Sequence, residues 1–287
     1  MTDVDVVILD LDGAARLEAC VASIASQSRL PARVIVFDNG SKEAAALRIS
    51  SPGGMAIEHV RSEVNLGFAG GMNAALTGVR APFVAMINND VVLDREWLAS
   101  TMPAIENDDR VAAAQSVIRR DAETIDGAGI DISDGTYRQA DFGSPIAGAS
   151  LVQPWGVSAT AAIFRMDALR QVSSVAGAVF DSRFFAWYED VELNARLRDA
   201  GWAVRLVPRP LATHAGSATS AVLGRRALRL RVRNRYFVNR LHRDVGRRSA
   251  LLREDEGRLL RALLKLRIIE VLVIAGAVIE GNMAPLR

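Results

Sequence analysis

The sequence predicts an α/β fold, a mostly parallel sheet with crossover helices, and three observations carry that expectation. Short apolar runs of strand length recur along the first hundred residues, helical patterns separate them, and polar residues cluster just after several of the runs. The chain of 287 residues is long enough for one large domain, or one domain with an appendage, around an ample core.

Taken in order, the apolar runs at 4–9, 33–37, 57–61 and 83–87 read as strands, and the segments at 14–26, 42–49, 70–79 and 95–107 read as helices between and after them. From 111 to about 164 the pattern changes to short alternating stretches with Gly, Asp and Ser turns, which read as antiparallel hairpins or a long loop laid over the sheet. The helical pattern returns in EDVELNARLRDAGW, with Asp190 as N-cap, Leu193 and Leu197 four apart, and Gly201 as the residue that ends the helix. A strand is expected at 203–207. Beyond Gly224 the chain becomes Arg-rich and helical, so a boundary is placed near residue 220. The last helix is expected over 258–280. Lys265, Arg267 and Glu270 interrupt its apolar run, whereas a bilayer span needs about 20 apolar residues, so it reads as a packed or interfacial helix.

Composition narrows the function classes. Half the residues are hydrophobic and about a quarter are charged, which is ordinary globular chemistry rather than disorder. The single Cys20 excludes a disulfide framework and reads as a buried structural thiol on the first helix. MTDVDVVILDLDG has acids where a secretion signal has cations, so a cytoplasmic location is expected. The net charge of +2 hides an asymmetry: residues 225–248 hold ten arginines against the one acid Asp244. That imbalance points to an anionic partner or surface, including peripheral contact with the inner face of a membrane. Read as a nucleic-acid face, it would give salt-sensitive, metal-independent binding; no nucleic acid is among the expected partners.

Several clusters fall at the carboxyl ends of the expected strands, the edge at which open α/β sheets bind ligands. Asp38-Asn39-Gly40-Ser41 is by itself a turn with a helix-capping serine, yet it also places Asp38 where a nucleobase NH could be met. The glycine-rich stretch from Asn65 to Asn73 opens a helix, which permits close backbone approach to an anion. It is not the dinucleotide fingerprint, and the acids of Asp10-Leu11-Asp12-Gly13 would repel a pyrophosphate at the first loop, which disfavours a nicotinamide dehydrogenase. Asn88-Asn89-Asp90 ends the fourth strand: Asp90 has the oxygen chemistry of a divalent-cation ligand bridging to phosphates, with Asn88 near a ribose. Glu189-Asp190 follows the aromatic run FFAWY, where an apolar pocket would raise a carboxylate toward a general base's working range. His214 becomes credible as a second metal ligand only in company with Asp90.

In order, VIVFDNGS, NLGFAGGMNAAL, VAMINNDVVLD, FDSRFFAWYEDVELNARLRDAGW, THAGS and RVRNRYF resemble the inverting nucleotide-sugar glycosyltransferases of the GT-A fold, in the large family 2, and most closely its rhamnosyltransferase-like branch. The resemblance spans roughly residues 4–240. It implies a GT-A catalytic domain over 1–220 with an Arg-rich helical region over 221–287. It assigns Asp38 to the nucleobase, Asn65, Gly71 and Asn73 to the donor's nucleotide or pyrophosphate, Asp90 and His214 to Mn²⁺ or Mg²⁺, and Asp190 to the general base. Asn88 and Arg233 join the donor side, and Trp155, Trp187, Tyr188 and Glu189 are acceptor-side candidates. The implied reaction moves a sugar from a nucleotide diphosphate, dTDP-rhamnose or a UDP-sugar, to a glycan, a lipid-linked saccharide or a small molecule, with a homodimer among the assemblies considered. The competing readings are a sugar nucleotidyltransferase, which would want a glycine- and lysine-rich first loop, and a binding scaffold of the same fold without chemistry.

Overall fold

The computed structural model describes residues 4–50, 54–149, 151–214, 216 and 223–285. Among the described residues eleven strands are formed: β1 (Val4–Asp10), β2 (Arg33–Asn39), β3 (Ile57–Ser62), β4 (Phe83–Asn88), β5 (Val91–Leu93), β6 (Val111–Arg119), β7 (Ile125–Gly127), β8 (Ile130–Asp131), β9 (Arg138–Gln139), β10 (Ala161–Arg165) and β11 (Ala203–His214). The helices are α1 (Ala14–Ala25), α2 (Gly67–Leu76), α3 (Trp97–Thr101), α4 (Pro103–Glu106), α5 (Met166–Val172), α6 (Glu189–Asp199), α7 (Arg225–Leu241), α8 (Arg248–Leu264) and α9 (Ile268–Met283).

One mixed sheet runs in the order β3-β2-β1-β4-β10-β6-β11-β5, with β7 added to β6. β1, β2, β3 and β4 are parallel neighbours, β10 is antiparallel to both β4 and β6, and β11 is parallel to β6. Side chains alternate between faces with the period of two that a strand imposes. Val6, Ile8, Val34 and Val36 pack toward α1, α3 and α4, while Val7, Ile35 and Phe37 pack toward α2, α5 and α6. A third cluster joins α6 to the C-terminal helices through Val191, Ala195, Val232, Tyr236 and Phe237. The expected boundary near residue 220 falls at 217–222, outside the described residues.

Four expectations about elements are corrected. The segment at 42–49 forms only a short 3₁₀ turn, Ala44–Arg48. The helix expected over 95–107 is two short helices, because Pro103 has no NH to continue the first and instead begins the second. The stretch from 111 to 164 holds two central strands, β6 and β10, besides its hairpins. Their buried AAAQSVI and AAIF cores lack the alternation of a half-exposed strand because both faces are covered. The single C-terminal helix is split at Leu266, whose φ of 53° lies in the left-handed region and turns α8 into α9.

Asp190 is likewise not an N-cap. Helix α6 starts at Glu189, after Tyr188 in the left-handed conformation, and Asp190 lies inside the first turn with its carboxylate accepting from the Val191 NH at 2.8 Å. Gly201, with φ of 85°, does follow the helix as the residue that ends it. Cys20 is fully buried on α1, and its thiol donates to the Asn88 carbonyl.

Candidate functional site

Because β1, β2, β4, β6 and β11 all point their carboxyl ends to one edge, and antiparallel β10 begins there, the polar residues after these strands converge. They line an open cleft of about 950 Å³ that includes Asp10, Asn39, Asn65, Asn88, Asn89, Asp90, Asp126, Ser158, Trp187, Tyr188, Glu189, Asp190, His214, Arg231 and Arg258.

The register of β11 against β5 sets His214 opposite Val91, and so beside Asp90. His214 Nε2 lies 3.2 Å from Asp90 Oδ1, and Nδ1 lies 2.8 Å from Asp126 Oδ2, which β7 carries into the cleft from its pairing with β6. Burial lowers the His214 pKa, but hydrogen bonds to Asp126 and Asp90 outweigh it and raise the value to about 9. Burial would raise the Asp90 carboxyl; the His214 contact wins and holds it below the ordinary value. Among the described residues no group of three or more acidic, histidine or cysteine side chains is arranged around one cation position. Two protein ligands nevertheless suit a hard cation that takes its other oxygens from water and phosphates. With Asp126 on Nδ1, the other ring nitrogen faces Asp90, and a cation would have to displace the proton between them; a carboxylate on the far nitrogen is the arrangement that orients a metal-binding histidine. Asp90 and His214 therefore fit a Mn²⁺ or Mg²⁺ ion.

On the opposite wall, the chain before α6 takes three left-handed non-glycine conformations within four residues: Phe185, Trp187 and Tyr188 have φ of 64°, 67° and 70°. Each costs on the order of 1–3 kcal/mol unless its surroundings hold it. Asn234 holds this turn from α7. It is fully buried, and its amide donates to the carbonyls of Phe184 (2.9 Å), Ala186 (2.9 Å) and Trp187 (2.8 Å). Gly67 meets the same turn from the other side, where a Cβ would sit 2.4 Å from the Phe185 carbonyl oxygen, and the Ala69 NH donates to that oxygen at 3.1 Å. The turn thereby delivers Glu189 and Asp190 into the cleft. Burial raises the Asp190 pKa, while NH donors from Val191 and Ala159 and the Ser158 hydroxyl oppose it. Glu189 is raised much further, by burial and then by the neighbouring Asp190 charge, and its Oε2 has no hydrogen-bond partner. Asp190 is the better-stabilised carboxylate and Glu189 the better-retained proton.

The cleft gathers Asn65, Asn88, Asp90, Glu189, Asp190, His214, Trp187 and Tyr188 from among the residues anticipated from sequence. The other candidates lie behind it. Asp38 is fully buried and bound by Arg61 at 2.5 Å and the Ser41 NH at 2.8 Å, so it braces the β2 loop rather than opening to a base. Asn73 makes two hydrogen bonds to the Phe180 backbone. Gly71 allows α2 to sit against β1 and β2, since a Cβ would lie 2.7 Å from Leu9 Cδ1. Trp155 carries Arg198 over its ring and lies outside the cleft. Arg233 is turned toward Glu280 and the carbonyls of Arg183 and Phe184. From the same helix Arg231 reaches the cleft instead, 4.8 Å over the Trp187 ring.

Sequence reasoning overlooked Asp126, Ser158, Asn39 and Asn234. Asn39 and Asn234 had a signal, as parts of VIVFDNGS and RVRNRYF; Asp126 sits in an ordinary IDG hairpin.

The sequence profile of the family described as Glycosyl transferase family 2 matches residues 6–173. No curated protein matches the chain. Among solved structures it resembles TarS 1–349 of S. aureus (14% identity, TM-score 0.53), covering 83% of this chain and 65% of that one. Mannosyltransferase PcManGT of Pyrobaculum calidifontis, in complex with GDP-Man and Mn²⁺, is similar over 99% of this chain and 76% of its own (17% identity, TM-score 0.59). GalNAc-T7 with UDP, GalNAc and Mn²⁺ is similar over 84% of this chain and 48% of its own (14% identity, TM-score 0.62). At these identities the likeness is one of fold, a GT-A-like sheet with its flanking helices.

Proposed function

The chain belongs to glycosyl transferase family 2, and from that premise we propose that it is a metal-dependent inverting glycosyltransferase that moves a sugar from a nucleoside diphosphate to an acceptor hydroxyl. The observation that carries the reading is the pairing, across one cleft, of the linked Asp90, His214 and Asp126 side chains with a partly buried carboxylate, Asp190, of raised pKa. Donor complexes and Mn²⁺ in relatives of the same fold support the donor class. The rhamnosyl or UDP-sugar donor and the glycan, lipid-linked or small-molecule acceptor are the readings the sequence resemblance supports.

In this mechanism Asp90 and His214 would hold the cation, which when bound would supply positive charge against the departing diphosphate. Arg231 contributes a guanidinium from the facing wall, over the Trp187 ring, and Asn65 and Asn88 supply amides at the nucleotide end. Trp187 and Tyr188 offer ring faces to the acceptor or the sugar. Asp190 takes the proton from the acceptor hydroxyl as that oxygen attacks the anomeric carbon from the face opposite the diphosphate. One displacement by the acceptor inverts that carbon. Glu189, retaining its proton, can donate a hydrogen bond to the acceptor.

Calorimetric titration of UDP and dTDP, each with and without Mn²⁺, tests the reading. Metal-dependent binding by the wild type and its loss in Asp90→Ala are expected. Metal-dependent binding that persists in Asp90→Ala would remove that residue from the cation position, and no binding of either nucleotide by folded protein would overturn the donor class.

A further inference from the structure

Of the sixteen exposed large hydrophobic residues among those described, ten fall between Leu252 and Met283. Six crowd the corner between α8 and α9: Leu263 (54% exposed), Leu264 (76%), Leu266 (85%), Ile268 (66%), Ile269 (50%) and Leu272 (66%). The corner is built, not frayed. Leu266 takes its left-handed φ, the Arg267 NH donates to the Ala262 carbonyl at 2.8 Å, and Ile274 and Ala277 anchor α9 against the core cluster of α7. The fold thus spends a defined turn on presenting leucine and isoleucine outward, where single scattered apolar residues would need no explanation.

The charges decide what covers this corner. Arg261, Lys265 and Arg267 are exposed within the same run, no acid occurs from residue 257 to 269, and the next one, Glu270, meets Arg267 at 3.0 Å on an exposed surface, which leaves the run with net positive charge. Lys265 lies between Leu264 and Leu266, and Arg267 between Leu266 and Ile268, so a dry protein contact over the leucines would bury cations with them; interface centres are depleted of charge and of lysine in particular. A lipid headgroup layer has no such conflict, because the aliphatic side chains enter the acyl boundary while the long basic side chains reach up to phosphates. No helix is long and apolar enough to cross a membrane among the described residues, so the corner would lie on a bilayer, not in it.

We propose that the α8–α9 corner is a membrane-docking wedge for an anionic lipid surface, with Leu264, Leu266, Ile268 and Ile269 inserted and Arg261, Lys265 and Arg267 at the phosphates. The proposal does not rest on the transferase reading. It does have a consequence for it: Arg258 lines the cleft, and Leu264 lies six residues further along the same helix, about 9 Å at 1.5 Å per residue. A membrane-anchored acceptor would therefore be met close to where the protein docks.

The test is cosedimentation of the full-length protein with vesicles of phosphatidylcholine alone and with about a third phosphatidylglycerol, at low and high salt. Binding to the anionic vesicles, weakened at least several-fold by salt, is expected. The variant carrying Leu264→Glu, Leu266→Glu and Ile269→Glu should lose it, and Lys265→Glu with Arg267→Glu should weaken it several-fold. These side chains are exposed, so circular dichroism and melting should match wild type; if the first variant misfolds, Leu266→Glu alone gives the same reading. Equal binding of wild type and folded variants, or none to anionic vesicles at low salt, overturns the proposal. A wild type that is dimeric by light scattering, with vesicle-free monomers from the glutamate variant and no vesicle binding by either, would assign the corner to a second copy and also overturn it. Nucleotide titration reports separately on the transferase reading.

Discussion

At the level of single residues, the cleft separates groups that ionise early from groups that hold their protons. Asp190→Asn keeps shape and removes the carboxylate proposed as base, so turnover should fall by at least about 10²–10⁴-fold while donor binding stays near wild type; transfer surviving at wild-type rate would place the base elsewhere. Because burial raises the Asp190 pKa, the active carboxylate form is lost at a higher pH than for an ordinary aspartate. The acid limb of the kcat/KM profile should accordingly lie above the usual aspartate range near 3.9, and a limb at or below it would contradict the burial argument. Asp126 touches His214 on the ring nitrogen that does not face Asp90. Asp126→Asn should weaken Mn²⁺ affinity by about 10–100-fold without abolishing it, read by metal titration of nucleotide binding.

At the level of elements, the turn before α6 depends on a helix that follows it by nearly fifty residues. Asn234 satisfies three carbonyls of a backbone held in left-handed conformations. Asn234→Ala should cost about 1–3 kcal/mol in thermal or denaturant unfolding by leaving those carbonyls unpaired. Its sharper signature is catalytic: kcat should fall while the nucleotide affinity set by Asp90 and His214 is retained, and an equal loss of both would mean a merely general destabilisation. The RVRNRYF segment is thus explained by geometry. Arg233 and Asn234 clamp the turn, Arg231 faces the cleft, and Arg235 is buried against Asp255 at 2.5 Å. The seven arginines of α7 are alike as a charge run, and only their angular positions distinguish these roles.

At the level of the whole molecule, the C-terminal helices are tied to the sheet domain through α6. Glu192, nearly buried, accepts from Arg196 at 2.7 Å and from His242 at 3.2 Å. Burial would raise its pKa, but the His242 and Arg196 contacts prevail and lower it. A depressed carboxylate contributes stability that is complete above its unfolded pKa, near 4.3, and is lost as pH falls through the folded value. Glu192→Gln should therefore flatten the fall in melting temperature below about pH 4–5, and an unchanged acid slope would show that the pair contributes nothing. The sequence by itself settled the α/β class and the buried Cys20, and it set Asn88-Asn89-Asp90 at a strand's end and Glu189-Asp190 at a helix start, because strand periodicity, turn chemistry and residue type are local. Which residues meet was fixed by tertiary structure alone. The β11–β5 register puts His214 at Asp90, the β7 hairpin brings Asp126, and the packing of α7 gives Asn234 the turn and Arg231 the cleft. Asp38, Asn73 and Arg233 carry the right chemistry, but their neighbours in the fold claim their polar atoms first, and local sequence has no means of registering that competition.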